Sequence, residues 1–149
     1  MSKRNSKRAV LARKDPAMRH GRHCVFLMHV HLVFVTKYRK GALTGEILGT
    51  MKTVFEQVCA DFGAELKEFE GESDHVHLLI NYPPKHSISS LTNSLKGVSS
   101  RAIRKNYRKE LKDKLWGGAL WSPSYFASSC GGAPLEIIKQ YIQKQTRPE

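Results

Sequence analysis

His75 and His77 stand two apart in the run Asp74-His75-Val76-His77-Leu78-Leu79-Ile80. Side chains two apart on a strand point the same way, so two imidazoles share one face while Val76, Leu78 and Ile80 fill a core on the other. That is half a metal site. Tyr141 and Gln145 lie four apart near the C-terminus, about one helical turn. One helix can therefore deliver a phenolic nucleophile and an amide-oxygen ligand together. A phenol with a pKa of about 10 is a weak nucleophile at neutral pH, and a divalent cation that polarises a phosphoryl oxygen and favours phenolate supplies the missing activation. In a very basic chain, these residues predict phosphodiester chemistry on nucleic acid.

Each pair also has a plainer explanation. A His-x-His spacing occurs by chance, and the chain holds a second one, His29-Val30-His31. Spacing alone does not say which pair binds, or whether neighbouring strands pool them. The second pair follows a turn containing Asp74, so its open end lies near a loop, whereas the first is embedded mid-strand. His29 and His31 are therefore read as structural, or as supports behind the ligands. Tyr141 alone would read as a core residue with its hydroxyl at the edge. Gln145 changes that, because neither packing nor solvation requires both groups at one point.

The elements that position these groups form one domain, since 149 residues suffice for a single core. Twenty-five Lys and Arg against 13 Asp and Glu give +12, which favours a polyanionic partner. No apolar stretch approaches a membrane span and the N-terminus lacks a signal-like apolar region, so no membrane partner and a cytoplasmic location are expected. Cys24, Cys59 and Cys130 are odd in number and widely spaced, and read as reduced structural thiols. Residues 1 to 22 carry eight basic residues against Asp15, a net +7 of the +12, and read as a flexible basic arm contacting phosphates. Residues 23–149 form the folded domain.

Cys24 to Thr36 reads as one long, central strand. Thr44 is a helix N-cap, Ile47, Met51, Val54, Val58 and Phe62 follow helical spacing, and Gly63 supplies the stop. Ala64 to Glu70 and His75 to Asn81 make a hairpin around Gly71-Glu72-Ser73-Asp74, ended by Pro83-Pro84. A second helix buries Ile88, Leu91, Leu95, Val98 and Ala102, with its cations largely elsewhere. Ser124 to Cys130 is a last short strand. Gly131-Gly132 and Pro134 then open a helix packing through Leu135, Ile138 and Ile142. The predicted class is α+β: an antiparallel sheet in split βαββαβ order, ferredoxin-like or RRM-like, plus a C-terminal helix carrying the nucleophile.

Six segments in order, His31 to Arg39, Asp74 to Ile80, Leu95-Lys96-Gly97, Leu115 to Gly118, Leu120 to Tyr125 and Tyr141 to Gln145, resemble the single-tyrosine HUH transposases of the insertion-sequence 200/605 family. The likeness covers roughly residues 23 to 146. It implies a dimeric enzyme, with active sites shared between subunits, that cuts and rejoins single-stranded DNA at the hairpin ends of a mobile element. By position, it implies His75, His77 and Gln145 as metal ligands and Tyr141 as the nucleophile forming a 5′-phosphotyrosine link. The implied cofactor is a divalent metal, magnesium in the cell, with manganese bound more tightly by a His-His-Gln set. Exchange of one phosphodiester for another needs no ATP.

Lys37, Arg39, Lys40, Lys96, Arg101, Arg104 and Arg108 are candidate phosphate contacts. Trp121 and Tyr125 are divided between stacking on unpaired bases and packing in the core. The alternative function is a non-catalytic, RRM-like single-strand binder, which needs aromatics on an exposed sheet face where this strand offers His75 and His77. A third is a phosphodiesterase that uses water, with Tyr141 structural.

Overall fold

The computed structural model describes residues 18–115, 118–129 and 135–145. Gly131-Gly132, Pro134, Cys130 and most of the basic arm therefore lie outside the described residues, as do the side chains of Leu135 and Ile138. Two short strands, β1 (Arg19–His20) and β2 (Val25–Phe26), pair as an antiparallel ribbon. Next come β3 (His29–Val35), α1 (Gly45–Asp61), β4 (Glu65–Gly71), β5 (His75–Asn81), α2 (Ile88–Asn106), α3 (Arg108–Leu111), β6 (Phe126–Ser129) and α4 (Leu135–Lys144). The main sheet has the order β4-β5-β3-β6 and every pairing in it is antiparallel. This is the split βαββαβ arrangement with an added helix.

The strand expected over Cys24 to Thr36 is broken in two. Arg19 explains the break. Its guanidinium donates to Asn81 Oδ1 (3.2 Å) and the Gly63 carbonyl (2.9 Å), faces Glu65 (3.5 Å) and lies over the Phe26 ring. These contacts hold the ribbon against the end of the hairpin, so Arg19 belongs to the fold and the boundary drawn after residue 22 falls inside the ribbon.

Alternation along β3 divides the molecule into two layers. Val30, Leu32 and Phe34 join Val76, Leu78 and Ile80 of β5 in a core closed by α1 and α2. Val33 and Val35 point the other way, to Ile142 of α4. Thr44 caps α1 by accepting from the Ile47 N–H, and Gly63 turns the chain out of it at φ +67°, a conformation that favours glycine. The buried face of α2 comprises Leu91, Thr92, Leu95, Ser99 and Ile103, rotated from the expected stripe, and Val98 and Ala102 are half-buried. A tertiary hydrogen bond accounts for Ser99, whose Oγ accepts from the Trp121 indole N–H at 2.9 Å. Trp121 in turn packs edge-on against Phe34, 5.7 Å between centroids, and Phe55 meets Phe34 from the other helix at 6.0 Å.

Phe34 therefore joins sheet, α1 and the Trp121 segment in one fully buried cluster. Phe34→Ala should cost about 3–5 kcal/mol, read from the urea midpoint at an unchanged slope.

Candidate active site

The register of β3 on β5 places Val33 opposite His77 and Val35 opposite His75. Directly paired residues share a face, so both histidines lie on the side covered by α4. Their ring centroids are 5.0 Å apart. Asp74 Oδ1 is 2.7 Å from His75 Nδ1, which sets the proton on Nδ1 and leaves the Nε2 lone pair for a ligand. Arg39 Nε donates to the other carboxylate oxygen at 2.7 Å. Burial alone would push the Asp74 carboxyl up, but the hydrogen bonds and charges of His75 and Arg39 outweigh it and hold the group below its ordinary value. Asp74 thus remains an acceptor.

Arg39 reaches Asp74 from a turn over Lys37–Arg39 in which Tyr38 and Arg39 have φ of 56° and 57°. Such angles strain residues other than glycine. The turn is held by Thr36, whose Oγ donates to the Lys40 carbonyl (2.7 Å) and whose N–H donates to the Asp74 carbonyl (2.9 Å).

Burial, then the charges of His75 and His31, push the His77 pKa down to about 4. At neutral pH its ring is uncharged, as a metal donor must be. His31 stacks on His77, with Nε2 3.4 Å from His77 Nδ1, and burial lowers its pKa against the opposing influence of Glu68. It therefore sits beside His77 on the same face of the sheet. His29 lies farther along β3, with Nε2 3.4 Å from Asn81 Nδ2. Among the described residues no group of three His, Cys, Asp or Glu side chains gathers to hold a metal. The histidine pair offers two nitrogen donors, which suit a divalent ion only with an amide or solvent oxygen completing the set.

The helical pair meets at two serines. Tyr141 Oη and Ser124 Oγ are 2.7 Å apart, and Gln145 Oε1 accepts from Ser122 Oγ at 2.6 Å. Ile142, the residue after Tyr141, packs on Val33 and Val35, so both pairs occupy one side of the sheet. An open cleft of about 690 Å³ exposes His75 and His77 beside Arg39 and Asp74. From α4 its described lining is Lys139, Ile142 and Gln143. The structure thus brings His75 to His77 and Tyr141 to Gln145, but sets Gln143 rather than Gln145 toward the histidines. Gln143 and the two serines escaped the sequence reading. Asp74 was legible as a turn residue, and its place directly before a candidate ligand was the signal for its further role.

The candidate DNA contacts divide. Arg101, Arg104 and Arg108 line a groove of about 370 Å³ together with Lys105 and Lys112. Lys40 is exposed, and Lys37 lies over the Tyr38 ring. Arg39 is engaged by Asp74. Lys96 Nζ donates to three backbone carbonyls, and Trp121 is 6% exposed with its N–H bound to Ser99, so its ring packs in the core and is not offered to bases.

Residues 24–145 match the model of the family described as transposase IS200 like. The chain belongs to the IS200-like transposase family. Over 128 residues it is 37% identical to the ISDra2 transposase TnpA of Deinococcus radiodurans, covering 86% of this chain and 91% of that one. It is 32% identical over 115 residues to the transposase for insertion sequence element IS200 of Salmonella typhimurium, 77% and 74% of the respective chains. Among solved structures, a chain of Deinococcus radiodurans R1 superposes with a TM-score of 0.75 at 34% identity, covering 86% of this chain and 98% of that chain. A REP-associated tyrosine transposase bound to a REP hairpin shares the fold, with a TM-score of 0.53 at 12% identity and coverage of 83% and 67%. No described helix of this transposase is long and apolar enough to cross a membrane.

A His77 pKa held down to about 4 carries a sign for stability. Between the ordinary value of 6.5 and about 4 the unfolded chain binds a proton that the folded chain refuses, so stability is lost as pH falls through that window. In metal-free protein, imidazole NMR should show His77 neutral at pH 5.5. Titration of His77 near 6.5 would contradict the assignment.

Proposed function

We propose that this transposase cleaves and rejoins single-stranded DNA through Tyr141, with His75, His77 and Gln145 holding a divalent metal. The observation that carries the proposal is the placement of His75, oriented by Asp74, and the uncharged His77 ring together on the sheet face that α4 covers with Tyr141. The Tyr141 oxygen attacks the scissile phosphorus. A bond forms between phenolic oxygen and phosphorus, the phosphorus–O3′ bond breaks, and the products are a 5′-phosphotyrosine and a free 3′-hydroxyl. A 3′-hydroxyl of another strand reverses the step, so bond energy is conserved. Ser124, 2.7 Å from the phenol, is placed to hold that oxygen in line by a hydrogen bond, while the proton lost from the phenol is balanced by the one the departing O3′ takes up from solvent. Bound at the histidines, magnesium or the more tightly held manganese would supply Lewis-acid polarisation of the phosphate.

Hairpin-ended single strands are the favoured substrate, in keeping with the hairpin bound by the REP-associated relative. The groove lined by Arg101, Arg104 and Arg108 suits a phosphate backbone. A homodimer with shared sites accounts for the position of α4. Ser122 and Ser124 seat a helix that carries Tyr141 and Gln145 on the sheet face of the histidines, and in a shared-site dimer the seated helix is the second subunit's. The non-catalytic RRM-like reading fits less well, because the corresponding sheet face carries Val33, Val35, His75 and His77 under Ile142 instead of open aromatics.

Tyr141→Phe should abolish the denaturation-resistant protein–DNA adduct while hairpin binding changes less than about twofold, since only the attacking oxygen is lost. An adduct that persists in this variant rules Tyr141 out. Mixing inactive Tyr141→Phe and inactive His75→Ala proteins under subunit exchange should restore about a quarter of wild-type cleavage if about half the dimers are mixed, each with one intact site. No recovery despite demonstrated exchange would place both groups in one chain.

A further inference from the structure

The sequence offers Lys96 as one more cation for a phosphate, but its surroundings are those of a structural clamp. Its Nζ donates to the carbonyls of Ser122 (2.8 Å), Pro123 (3.2 Å) and Ser124 (3.0 Å). An ammonium has three protons, and three consecutive carbonyls take them all. The side chain is half-buried and lies 5.9 Å from the centroid of the Tyr125 ring. Without the cation, three acceptors would converge on one partly desolvated point, at a cost to that backbone conformation. Burial lowers the Lys96 pKa, as expected of a charge drawn out of water to satisfy them.

The clamped segment links the two layers of the molecule. Trp121 is rooted in the helix-side core, and its indole N–H binds Ser99, one turn after Lys96 on α2. Ser122 N–H donates to the Val35 carbonyl at 2.8 Å, which ties the segment to the strand edge. Just beyond, the hydroxyls of Ser122 and Ser124 emerge on the other side to hold Gln145 and Tyr141. We infer that Lys96 is a positioning residue for the transesterification, acting through the backbone of residues 122–124 and the hydroxyls of Ser122 and Ser124 to set Tyr141 and Gln145. The inference rests on the reading of Tyr141 as the nucleophile. In a reaction where a displacement of about 1 Å costs up to about 100-fold, loosening this segment slows chemistry without touching DNA.

The test uses the full-length protein and a hairpin-ended single-stranded oligonucleotide that the wild type cleaves. Adduct formation is followed in single turnover at saturating protein, and affinity is measured across a salt series. Lys96→Met should slow adduct formation about 10- to 100-fold while affinity and its salt slope stay at wild-type values. A phosphate contact would instead weaken binding and flatten the slope by roughly 0.7, which overturns the inference, as does a wild-type adduct rate. The path of action is checked in a Ser122→Ala/Ser124→Ala background. There Lys96→Met should cost less than about threefold more, and a full, multiplicative loss would mean that Lys96 does not work through the serines. Should Lys96→Met fail to fold, Lys96→Gln, with two donors for three carbonyls, takes its place, and an unchanged rate in it is equally fatal. Tyr141→Phe separates the two levels. An adduct in that variant removes the nucleophile itself, whereas a dead Tyr141→Phe beside a fully active Lys96→Met removes the clamp alone.

Discussion

Pairing Val33 with His77 and Val35 with His75 decides which side of the sheet does chemistry. A slip of one residue between β3 and β5 would leave the histidines facing strand neighbours of the wrong orientation and expose the valines that seat α4. The register is held from the opposite face, where Val30, Leu32 and Phe34 meet Val76, Leu78 and Ile80 at 1% exposure or less. Burial of those six side chains is thus what keeps two imidazoles on the face that receives Ile142 and its neighbour Tyr141.

Around that frame, charge is handled in two ways. On the helix side, Arg101, Arg104 and Arg108 stay in a groove open to solvent, where a polyanion can reach them. Near the site, cations and imidazoles are tied down. Arg39 holds Asp74, Asp74 fixes the tautomer of His75, and Lys96 gathers three carbonyls. A net charge of +12 therefore overstates how many cations are free to bind DNA, since a fixed cation serves geometry before it serves affinity. Cys59, in the core, is equally removed from chemistry, because burial and then Glu56 push its thiol up to about 12.

Much of the fold was legible because its signals are local. A period of two marked β5, helical spacing marked α1, and Thr44 and Gly63 bounded that helix as read from sequence. The breaks came where a distant partner outweighed local pattern. Residues 24–36 looked like one strand until Arg19 captured Asn81 and Gly63, and the face of α2 rotated because Trp121 needed an acceptor at Ser99. Trp121 itself was divided between core and bases, a choice no local spacing can make.

By itself the sequence determined the candidate chemistry: two imidazoles at strand spacing, a phenol and an amide at helical spacing, and the order of elements around them. Those follow from backbone periodicity, which acts within a few residues. Only the tertiary structure decided which groups share a space. Lys96 is 26 residues from Ser122, and Gln145 is 23 from it, yet the three meet at one short segment. It also turned Gln143 toward the histidine cleft. Such meetings depend on how layers pack and on which buried polar groups must be satisfied, and those constraints exist only once the chain has closed on itself.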